Sequence, residues 1–194
     1  MQLKPLKLLS PKFEGSKALM QVFQERKSSR EFSSKELPLQ ILSDLLWAAN
    51  GFNRQESAHR TAPSAMNTQE IDIYLAKAAG LFLFDALQNV LTPVIDEDIR
   101  ALTGFQPFVK IAPLNLIYVA DLSKMDKLES DAEFYAGTDT GFISENVYLY
   151  CAFAELATVV RGWIDKPALA KAMNLRAKQK IILAQTVGYF KDRN

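Results

Sequence analysis

A cluster of cationic and hydroxyl side chains, Arg26-Lys27-Ser28-Ser29-Arg30, lies between two segments with helical periodicity. Guanidinium groups bind phosphate through paired hydrogen bonds, and hydroxyls and loop N–H groups satisfy the remaining phosphate oxygens. The residue types therefore indicate a phosphate-binding site. A basic patch at the end of a helix is also typical of a solvated surface, so the cluster alone does not decide between the two interpretations.

A second polar stretch, residues 52–70, contains no periodic apolar pattern. It is a predicted loop of roughly 19 residues, and loops of that length in compact domains are mostly functional or disordered. Rigid Pro63 and the amides of Asn67 and Gln69 favour a function. The same polar groups could instead order the loop through hydrogen bonds to its own backbone, so this stretch does not identify a ligand either.

The sparse histidine and cysteine content limits the chemistry of this 194-residue chain. One histidine, His59, and one cysteine, Cys151, exclude an internal disulfide, a cysteine zinc site and a histidine-rich metal site. Catalysis by a serine–histidine or cysteine–histidine pair would depend on His59, which we interpret as a polar loop residue. Cys151 lies in an apolar segment typical of a core. We expect no metal site.

Net charge and hydropathy narrow the possible partners. The formal net charge of +1 gives no overall attraction to nucleic acid or to an anionic membrane, so any anion site must be local. No segment approaches the roughly 18 apolar residues that a membrane span needs. The stretch at the N-terminus is too short and too charged for a signal peptide. We therefore expect a cytoplasmic protein that binds neither nucleic acid nor membranes.

Hydrophobic periodicity predicts the helices. Residues 1–15 form a predicted N-terminal arm, after which Ser16 caps a helix with Leu19, Met20 and Phe23 as its apolar positions. A second helix begins near Pro38, ends at Gly51 as a left-handed C-cap, and buries Ile41, Leu42, Leu45, Leu46 and Ala49. The longest predicted helix runs from about Gly141 to Arg161, where Gly162 breaks it.

Strands are predicted at residues 71–76, 81–84, 114–120 and 181–189, with the first two as a hairpin. Short helices are predicted within 96–111 and around 168–173, and the acidic stretch 121–133 is interpreted as a solvated connection. No G-x-G-x-x-G or Walker pattern occurs, which argues against a Rossmann or P-loop site. The pattern favours a single α+β domain over residues 1–194.

Three separated pieces of the chain together resemble the FMN-dependent nitroreductase family. They are the cluster Arg26-Lys27-Ser28-Ser29-Arg30-Glu31-Phe32, the loop Arg60-Thr61-Ala62-Pro63-Ser64-Ala65-Met66-Asn67-Thr68-Gln69, and the segment Val159-Val160-Arg161-Gly162-Trp163. The segment from Phe82 to Arg100 is similar to the short oxidoreductases related to azoline dehydrogenases. The resemblance covers roughly residues 20–190.

The resemblance implies a nitroreductase-like sandwich with a central, mainly antiparallel sheet flanked by helices. It implies an interlocked homodimer with two FMN sites at the subunit interface. It further implies ping-pong chemistry, in which NAD(P)H reduces the flavin and the flavin then reduces a small-molecule acceptor such as a nitroaromatic or a quinone. No protein nucleophile or metal is needed for this chemistry, because the cofactor performs it.

The resemblance also implies roles for particular residues. The phosphate and the pyrimidine edge of the flavin would be held by Arg26, Lys27, Ser28 and Arg30, with Arg26 assigned to the phosphate and Arg30 to the charge that reduction creates on the ring. The loop laid on the flavin by the partner subunit would contribute Pro63, Ser64, Ala65 and Asn67. Gln106 would contact the ribityl chain or the ring edge. The Gly162 N–H would face N5 of the ring, with Arg161 beside it. Lys191 or Arg193 would reach the phosphate.

Two other functions remain open from the sequence. The flavin could run in the opposite direction, as a dehydrogenase of a small heterocycle or peptide substrate, as in azoline dehydrogenases. The chain could also be a non-catalytic flavin-binding dimer. Arg161 departs from the acidic residue common in well-studied nitroreductases, which leaves the preferred substrate charge open. Trp163 could line the substrate pocket or pack in the core.

Overall fold

The structure is a computed structural model that describes residues 3–15 and 17–191. Its helices are α1 (Leu19–Glu25), α2 (Leu39–Asn50), α3 (Ala132–Phe153) and α4 (Lys166–Ala172). Its strands are β1 (Leu6–Lys7), β2 (Phe52–Arg54), β3 (His59–Arg60), β4 (Ile71–Lys77), β5 (Gly80–Asp85), β6 (Val90–Ile95), β7 (Leu114–Asp121), β8 (Ala157–Arg161) and β9 (Gln179–Gly188). Short 3₁₀ turns connect several of them.

The central sheet contains seven of these strands in the order β1-β6-β5-β4-β7-β9-β8. Each neighbouring pair is antiparallel, as in the pairing of Ile71 with Ala120 between β4 and β7. Strands β2 and β3 form a separate ribbon. The predicted α+β class with a mainly antiparallel sheet is therefore confirmed, and β8 lies at one edge of the sheet.

Strand β7 is buried along its whole length because both faces of the sheet are covered. Its residues Leu114, Leu116 and Tyr118 share a core cluster with apolar side chains of α2 and α3. Ile117 and Val119 point to the opposite face and join a second cluster with Leu169 and Met173 at α4. This alternation is the period of two that a strand imposes, and it places α2 and α3 on one face and α4 on the other.

The predicted long helix is wrong at both ends. Helix α3 starts at Ala132 and ends at Phe153, and residues 157–161 form strand β8 instead of the last helical turns. Glu155 takes a left-handed φ of 56°, and the Leu156 N–H bonds to the Cys151 carbonyl, which together end the helix. The alanines near residue 154 favour helix, but the run Thr158-Val159-Val160 is β-branched and favours a strand.

Helix α1 forms where it was predicted, but it packs on a different face. Val22 is its buried residue, whereas Leu19, Met20 and Phe23 are 63%, 75% and 49% exposed. The predicted cap at Ser16 lies outside the described residues. The predicted apolar face of α1 is therefore a surface of this protomer.

Helix α2 buries Leu42, Leu45, Leu46 and Ala49 as predicted, whereas Ile41 is only half-buried. The predicted C-cap is wrong. Gly51 has an extended backbone, with φ −75° and ψ 166°, rather than a left-handed one. A Cβ at this position would lie 2.6 Å from Trp47 Cδ1. Close approach of Trp47, rather than a positive φ, therefore explains the glycine.

Several connections are more ordered than the sequence predicted. The stretch 52–70 contains the β2–β3 ribbon and 3₁₀ turns at Gln55–Ser57 and Ala65–Asn67. Strand β6 was not predicted, because it includes Pro93 and a proline argues against a strand in a sequence pattern. Strand β1, which lies in the predicted N-terminal arm, pairs with β6 at the edge of the sheet. The acidic stretch contains 3₁₀ turns, and Asp121 is buried beside Arg176. Predicted strands 71–76, 81–84, 114–120 and 181–189 are confirmed.

Candidate functional site

Four of the predicted site residues line one surface groove of about 570 Å³. They are Lys27, Ser28, Arg30 and Lys191, and Ser29, Glu31 and Phe190 complete the lining. Three cationic side chains and hydroxyl groups converge there, and only one acidic side chain is present. This donor set suits an anion with several acceptor oxygens, such as a phosphate.

Two backbone contacts hold the basic cluster at this place. The Ser29 N–H donates to the Thr158 carbonyl on the outer edge of β8 at 2.8 Å. The Ser33 N–H donates to the Tyr189 carbonyl at 3.0 Å, and Phe32 bridges to Phe190. The cluster is therefore fixed between the edge strand and the end of β9, which brings Lys191 beside it.

Tyr148 of α3 organises the other side of the cluster. Its hydroxyl accepts a hydrogen bond from the Val160 N–H at 2.9 Å and lies 2.8 Å from Ser28 Oγ. The Arg26 guanidinium lies 5.4 Å from the centre of the same ring, close enough for a cation–π contact. If Tyr148 donates its proton to Ser28, the Ser28 hydroxyl keeps its own proton free to donate to an anion.

The edge of β8 ends in an N–H group that is open to a ligand. Thr158 and Val160 direct backbone groups to the outer edge, where Ser29 and Tyr148 bind them. Strand alternation directs the Gly162 N–H to the same edge, and no hydrogen-bond partner for it occurs among residues 3–15 and 17–191. A Cβ at Gly162 would meet only Leu183, at an ordinary 3.6 Å. Internal packing therefore does not require a glycine here.

The groove and Gly162 are separated by a distance that a long ligand can cover. Four residues of strand, at about 3.3 Å each, place Gly162 about 13 Å beyond Thr158. Phe32 and Phe108, whose ring centres are 5.2 Å apart, lie in the buried layer beside this path. A molecule with a phosphate at one end, an extended chain and a flat ring matches this arrangement.

Arg161 and Gln106 lie next to Gly162, but the Arg161 side chain turns inward. It is buried, and its guanidinium donates to the Thr103 carbonyl, Asn115 Oδ1 and Thr186 Oγ1. Burial lowers the pKa of Arg161 to about 10. Gln106 Oε1 is buried and has no hydrogen-bond partner in the described structure. Contacts of either residue with FMN stay predictions.

The loop with Pro63, Ser64, Ala65 and Asn67 does not line the cationic groove of the same chain. Its conformation is unusual, because Met66, Asn67 and Gln69 all have left-handed φ angles of 49–55°. Such non-glycine residues cost about 1–3 kcal/mol each unless their surroundings hold them. Here Ser64 Oγ accepts from the Gln69 N–H at 3.0 Å, and Asn67 Oδ1 accepts from the Gln69 amide at 3.0 Å. These bonds hold the loop in one shape.

A model of the Nitroreductase family matches residues 23–189. The chain belongs to the nitroreductase family. A candidate nitroreductase from Methanocaldococcus jannaschii, MJ1384, is 31% identical over 155 residues, which cover 74% of this chain and 78% of that protein. The crystal structure of a candidate nitroreductase from Ralstonia eutropha JMP134 is 40% identical, with a TM-score of 0.93, and the match covers 97% of this chain and 90% of that one.

Two more distant structures share the nitroreductase fold. A candidate nitroreductase from a Desulfovibrio desulfuricans subspecies, solved in complex with FMN, is 19% identical, with a TM-score of 0.66 and coverage of 92% for both chains. A chain of the E. coli microcin synthetase McbBCD complex, solved with truncated pro-MccB17 bound, is also 19% identical, with a TM-score of 0.74. That match covers 96% of this chain and 79% of the synthetase chain. The family and fold predicted from the sequence are thus confirmed.

Two negative findings concern the described residues of this nitroreductase family member. No helix within residues 3–15 and 17–191 is long and apolar enough to cross a membrane. The same residues contain no group of three or more histidine, cysteine or acidic side chains that could hold a metal ion. Cys151 is fully buried in the core, as its apolar surroundings predicted.

A pair of buried carboxyl groups supports the 63–69 loop, and sequence reasoning missed it. Glu70 is fully buried and Asp139 of α3 is 3% exposed. Asp139 Oδ2 accepts from the Ala65 N–H at 2.8 Å, and Glu70 Oε2 accepts from Thr68 Oγ1 at 2.8 Å. Burial raises the pKa of both groups, and the nearby Asp139 carboxyl raises the pKa of Glu70 further. No pattern in the sequence links two residues so far apart.

The contribution of these two carboxyl groups to stability is expected to fall as pH rises. Carboxyl groups in the unfolded chain release their protons near pH 4, whereas the buried groups in the native protein keep theirs to higher pH. Their contribution to the free energy of unfolding therefore decreases as the pH rises above about 4. Asp139→Asn keeps the shape but removes one titrating group. We expect its melting temperature to fall less than that of the wild type as pH rises from about 4, by a few degrees.

Thermal melts of both proteins across that pH range measure the effect. Glu145→Gln is the matched control, because Glu145 is an exposed acid on the same helix. Its melting curve is expected to follow that of the wild type at each pH. Parallel pH profiles for Asp139→Asn and the wild type would contradict a raised pKa of Asp139 in the native state.

Proposed function

We propose that this chain binds FMN and is an oxidoreductase that uses NAD(P)H in ping-pong fashion to reduce nitroaromatic, quinone or similar acceptors. The observation that carries the proposal is the geometry along the β8 edge. A cationic groove lies at one end, and the unpartnered N–H of Gly162 lies about 13 Å further along the strand. Family membership and the FMN-bound structural relative support the choice of flavin.

The residues present fit each part of FMN. Arg26, Lys27, Ser28 and Lys191 would hold the phosphate, because they combine positive charge with a hydroxyl donor. Arg30 would lie by the pyrimidine edge, and the Gly162 N–H would donate to N5. The orphan oxygen of Gln106 would accept from a ribityl hydroxyl or a ring N–H. When bound, FMN accepts a hydride and passes two electrons on; the protein binds and orients it.

We further propose that the complete site needs two copies of the chain. Two observations support this. The loop with Pro63, Ser64, Ala65 and Asn67 is separate from its own cationic groove, so it is free to cover the groove of a partner. The apolar face of α1, formed by Leu19, Met20 and Phe23, is uncovered in the protomer, as expected for an interface side.

A flavin-dependent dehydrogenase of a small heterocycle or peptide substrate is the second candidate. The fold likeness to a chain of the microcin synthetase complex supports it. The two candidates share the FMN site and differ in the direction of electron flow. Reduction of the bound flavin by NADH or NADPH favours the reductase, whereas reduction by an azoline-containing peptide without nicotinamide favours the dehydrogenase.

One experiment tests the proposal as a whole. Purified protein is incubated with FMN, freed of unbound flavin, and titrated anaerobically with NADH or NADPH while the flavin absorbance is followed. We expect bound flavin, its bleaching by one of the nicotinamides, and its return to the oxidised spectrum on addition of menadione or a nitroaromatic. Protein that takes up no FMN would overturn both enzyme functions. Flavin that binds but reacts with neither donor class would indicate a non-catalytic flavin-binding dimer.

Tyr148→Phe is expected to weaken FMN binding about three- to tenfold. The substitution removes the hydroxyl that bonds to both the Val160 N–H and Ser28, so Ser28 loses its orientation. A typical hydrogen bond contributes about 0.5–1.5 kcal/mol, which gives this range. Fluorescence titration with FMN measures the dissociation constant.

The matched control for this variant is Tyr135→Phe on the same helix. Tyr135 packs against Phe134 and lies outside the groove. Its dissociation constant for FMN is expected to equal that of the wild type. Equal affinities of Tyr148→Phe and the wild type would contradict the role of Tyr148.

A further inference from the structure

The buried guanidinium of Arg161 has no carboxylate partner among the described residues. Its hydrogen bonds go to the Thr103 carbonyl at 2.6 Å, Thr103 Oγ1 at 3.4 Å, Asn115 Oδ1 at 2.9 Å and Thr186 Oγ1 at 2.9 Å. The ion pairs of residues 3–15 and 17–191 do not include Arg161. Every acceptor around it is therefore a neutral oxygen, and its positive charge is not compensated within the protomer.

An uncompensated buried charge costs free energy that a neutral side chain would avoid. The fold nevertheless fixes this charge with acceptors from three places: the 3₁₀ turn ending at Thr103, strand β7 and strand β9. Burial lowers the pKa of Arg161 only to about 10, so the guanidinium stays charged near neutral pH. Apolar side chains could fill the same volume without this cost. We therefore interpret the arrangement as one that holds a positive charge in place.

The charge lies at the ring end of the proposed flavin site. Arg161 immediately precedes Gly162, whose outward N–H is the proposed donor to N5. On the other side, a Cβ at Gly104 would lie 2.2 Å from Arg161 Nη1 and 2.7 Å from the unpartnered Gln106 Oε1. A larger residue at position 104 would have to displace one or both of these groups. Burial also shields the charge from the screening that salt exerts on exposed cations.

We propose that Arg161 is an electrostatic positioning residue whose fixed positive charge stabilises the negative charge that reduction places on the flavin ring. The inference rests on the proposed function. Hydride transfer brings two electrons and one proton, so the ring gains one negative charge unless a second proton follows. A fixed cation favours that charged state, and it does so more strongly in a low-dielectric interior than in water. Arg161 thereby makes the bound flavin easier to reduce.

The test compares the reduction potential of bound FMN in the wild type, Arg161→Gln and Arg161→Lys, using dye equilibration under anaerobic conditions. Arg161→Gln removes the charge, and Arg161→Lys keeps the charge but loses the fork of donors. We expect Arg161→Gln to decrease the equilibrium constant for reduction at least tenfold, which is about 30 mV for a two-electron couple. Arg161→Lys is expected to change it less than threefold. FMN dissociation constants and thermal melts are measured beside the potentials.

A second variant keeps the test decisive if Arg161→Gln does not fold. Asn115→Asp places a carboxylate at the atom that now lies 2.9 Å from the guanidinium, so the charge is neutralised while Arg161 remains. It is expected to lower the potential in the same direction as Arg161→Gln.

The possible results separate the two proposals. Wild-type protein that binds no FMN overturns the proposed function and this inference with it. If the wild type binds FMN but the equilibrium constant for reduction in Arg161→Gln or Asn115→Asp stays within twofold of the wild-type value, the inference alone is overturned. Equal losses in Arg161→Gln and Arg161→Lys also overturn it, because the geometry of the fork rather than its charge would then set the potential.

Discussion

Arg26→Ala is expected to weaken FMN binding about 10- to 100-fold. Arg26 is half-buried over the Tyr148 ring, whose hydroxyl contacts Ser28, so its guanidinium is partly desolvated before it meets a phosphate. It does not line the cationic groove itself but directly precedes Lys27, which does. A hydrogen bond to a charged group contributes about 1.5–3 kcal/mol, which corresponds to this range of affinity. Calorimetric or fluorescence titration with FMN measures the loss.

Two controls separate this loss from a general effect of charge. Arg54→Ala removes an exposed arginine of strand β2, outside the groove, and is expected to leave the dissociation constant unchanged. Titration with riboflavin, which lacks the phosphate, is expected to show little difference between Arg26→Ala and the wild type. Unchanged FMN affinity in Arg26→Ala would refute its assignment to the phosphate.

The double variant Met20→Glu/Phe23→Glu is expected to convert a dimer to a monomer and to lose FMN affinity at least tenfold. Both side chains lie on the uncovered apolar face of α1, at 75% and 49% exposure. Burying a large apolar side chain contributes about 1.5–3 kcal/mol to the free energy of association. Each substitution acts twice, because a symmetric interface contains the residue from both subunits. A monomer cannot present the 63–69 loop to a second groove, so affinity falls with association.

Sedimentation velocity and FMN titration on the same samples measure both effects. Leu87→Glu is the matched control, because Leu87 is 81% exposed on the connection after β5 and lies far along the chain from α1. It is expected to remain dimeric. A wild-type monomer that binds FMN tightly would contradict the two-copy site, and a dimeric double variant would place the interface elsewhere.

Local patterns were sufficient to predict most of the sheet. Alternation around Ile73 and the apolar run at Leu116 each specify a strand, and both are realised because their burial in the fold agrees with their period. The error at residues 157–161 has a physical cause. The alanine-rich sequence before Leu156 continues the helical preference. The helix ends because Glu155 adopts a left-handed backbone conformation, which a glutamate in a sequence does not predict.

The candidate site was predicted in pieces, and their assembly was not. The basic cluster and Gly162 could be named because their residue types and the family resemblance point to a flavin. Tyr148 was missed because a tyrosine on an apolar helix shows no sign of its two hydrogen bonds. The acceptors of Arg161 come from separate elements of the chain, so only the folded structure brings them together. The individual FMN contacts stay predictions.

The outer edge of β8 has a consequence for association in the absence of cofactor. An edge strand with free backbone groups is a template for pairing with another chain. The backbone of Ser29 and the hydroxyl of Tyr148 cover Thr158 and Val160, but the covering stops before Gly162. A flavin ring at Gly162 would complete that protection. If the chain binds FMN as proposed, cofactor-free protein would be the form most exposed to edge-to-edge aggregation, and the flavin would protect the last open part of this edge.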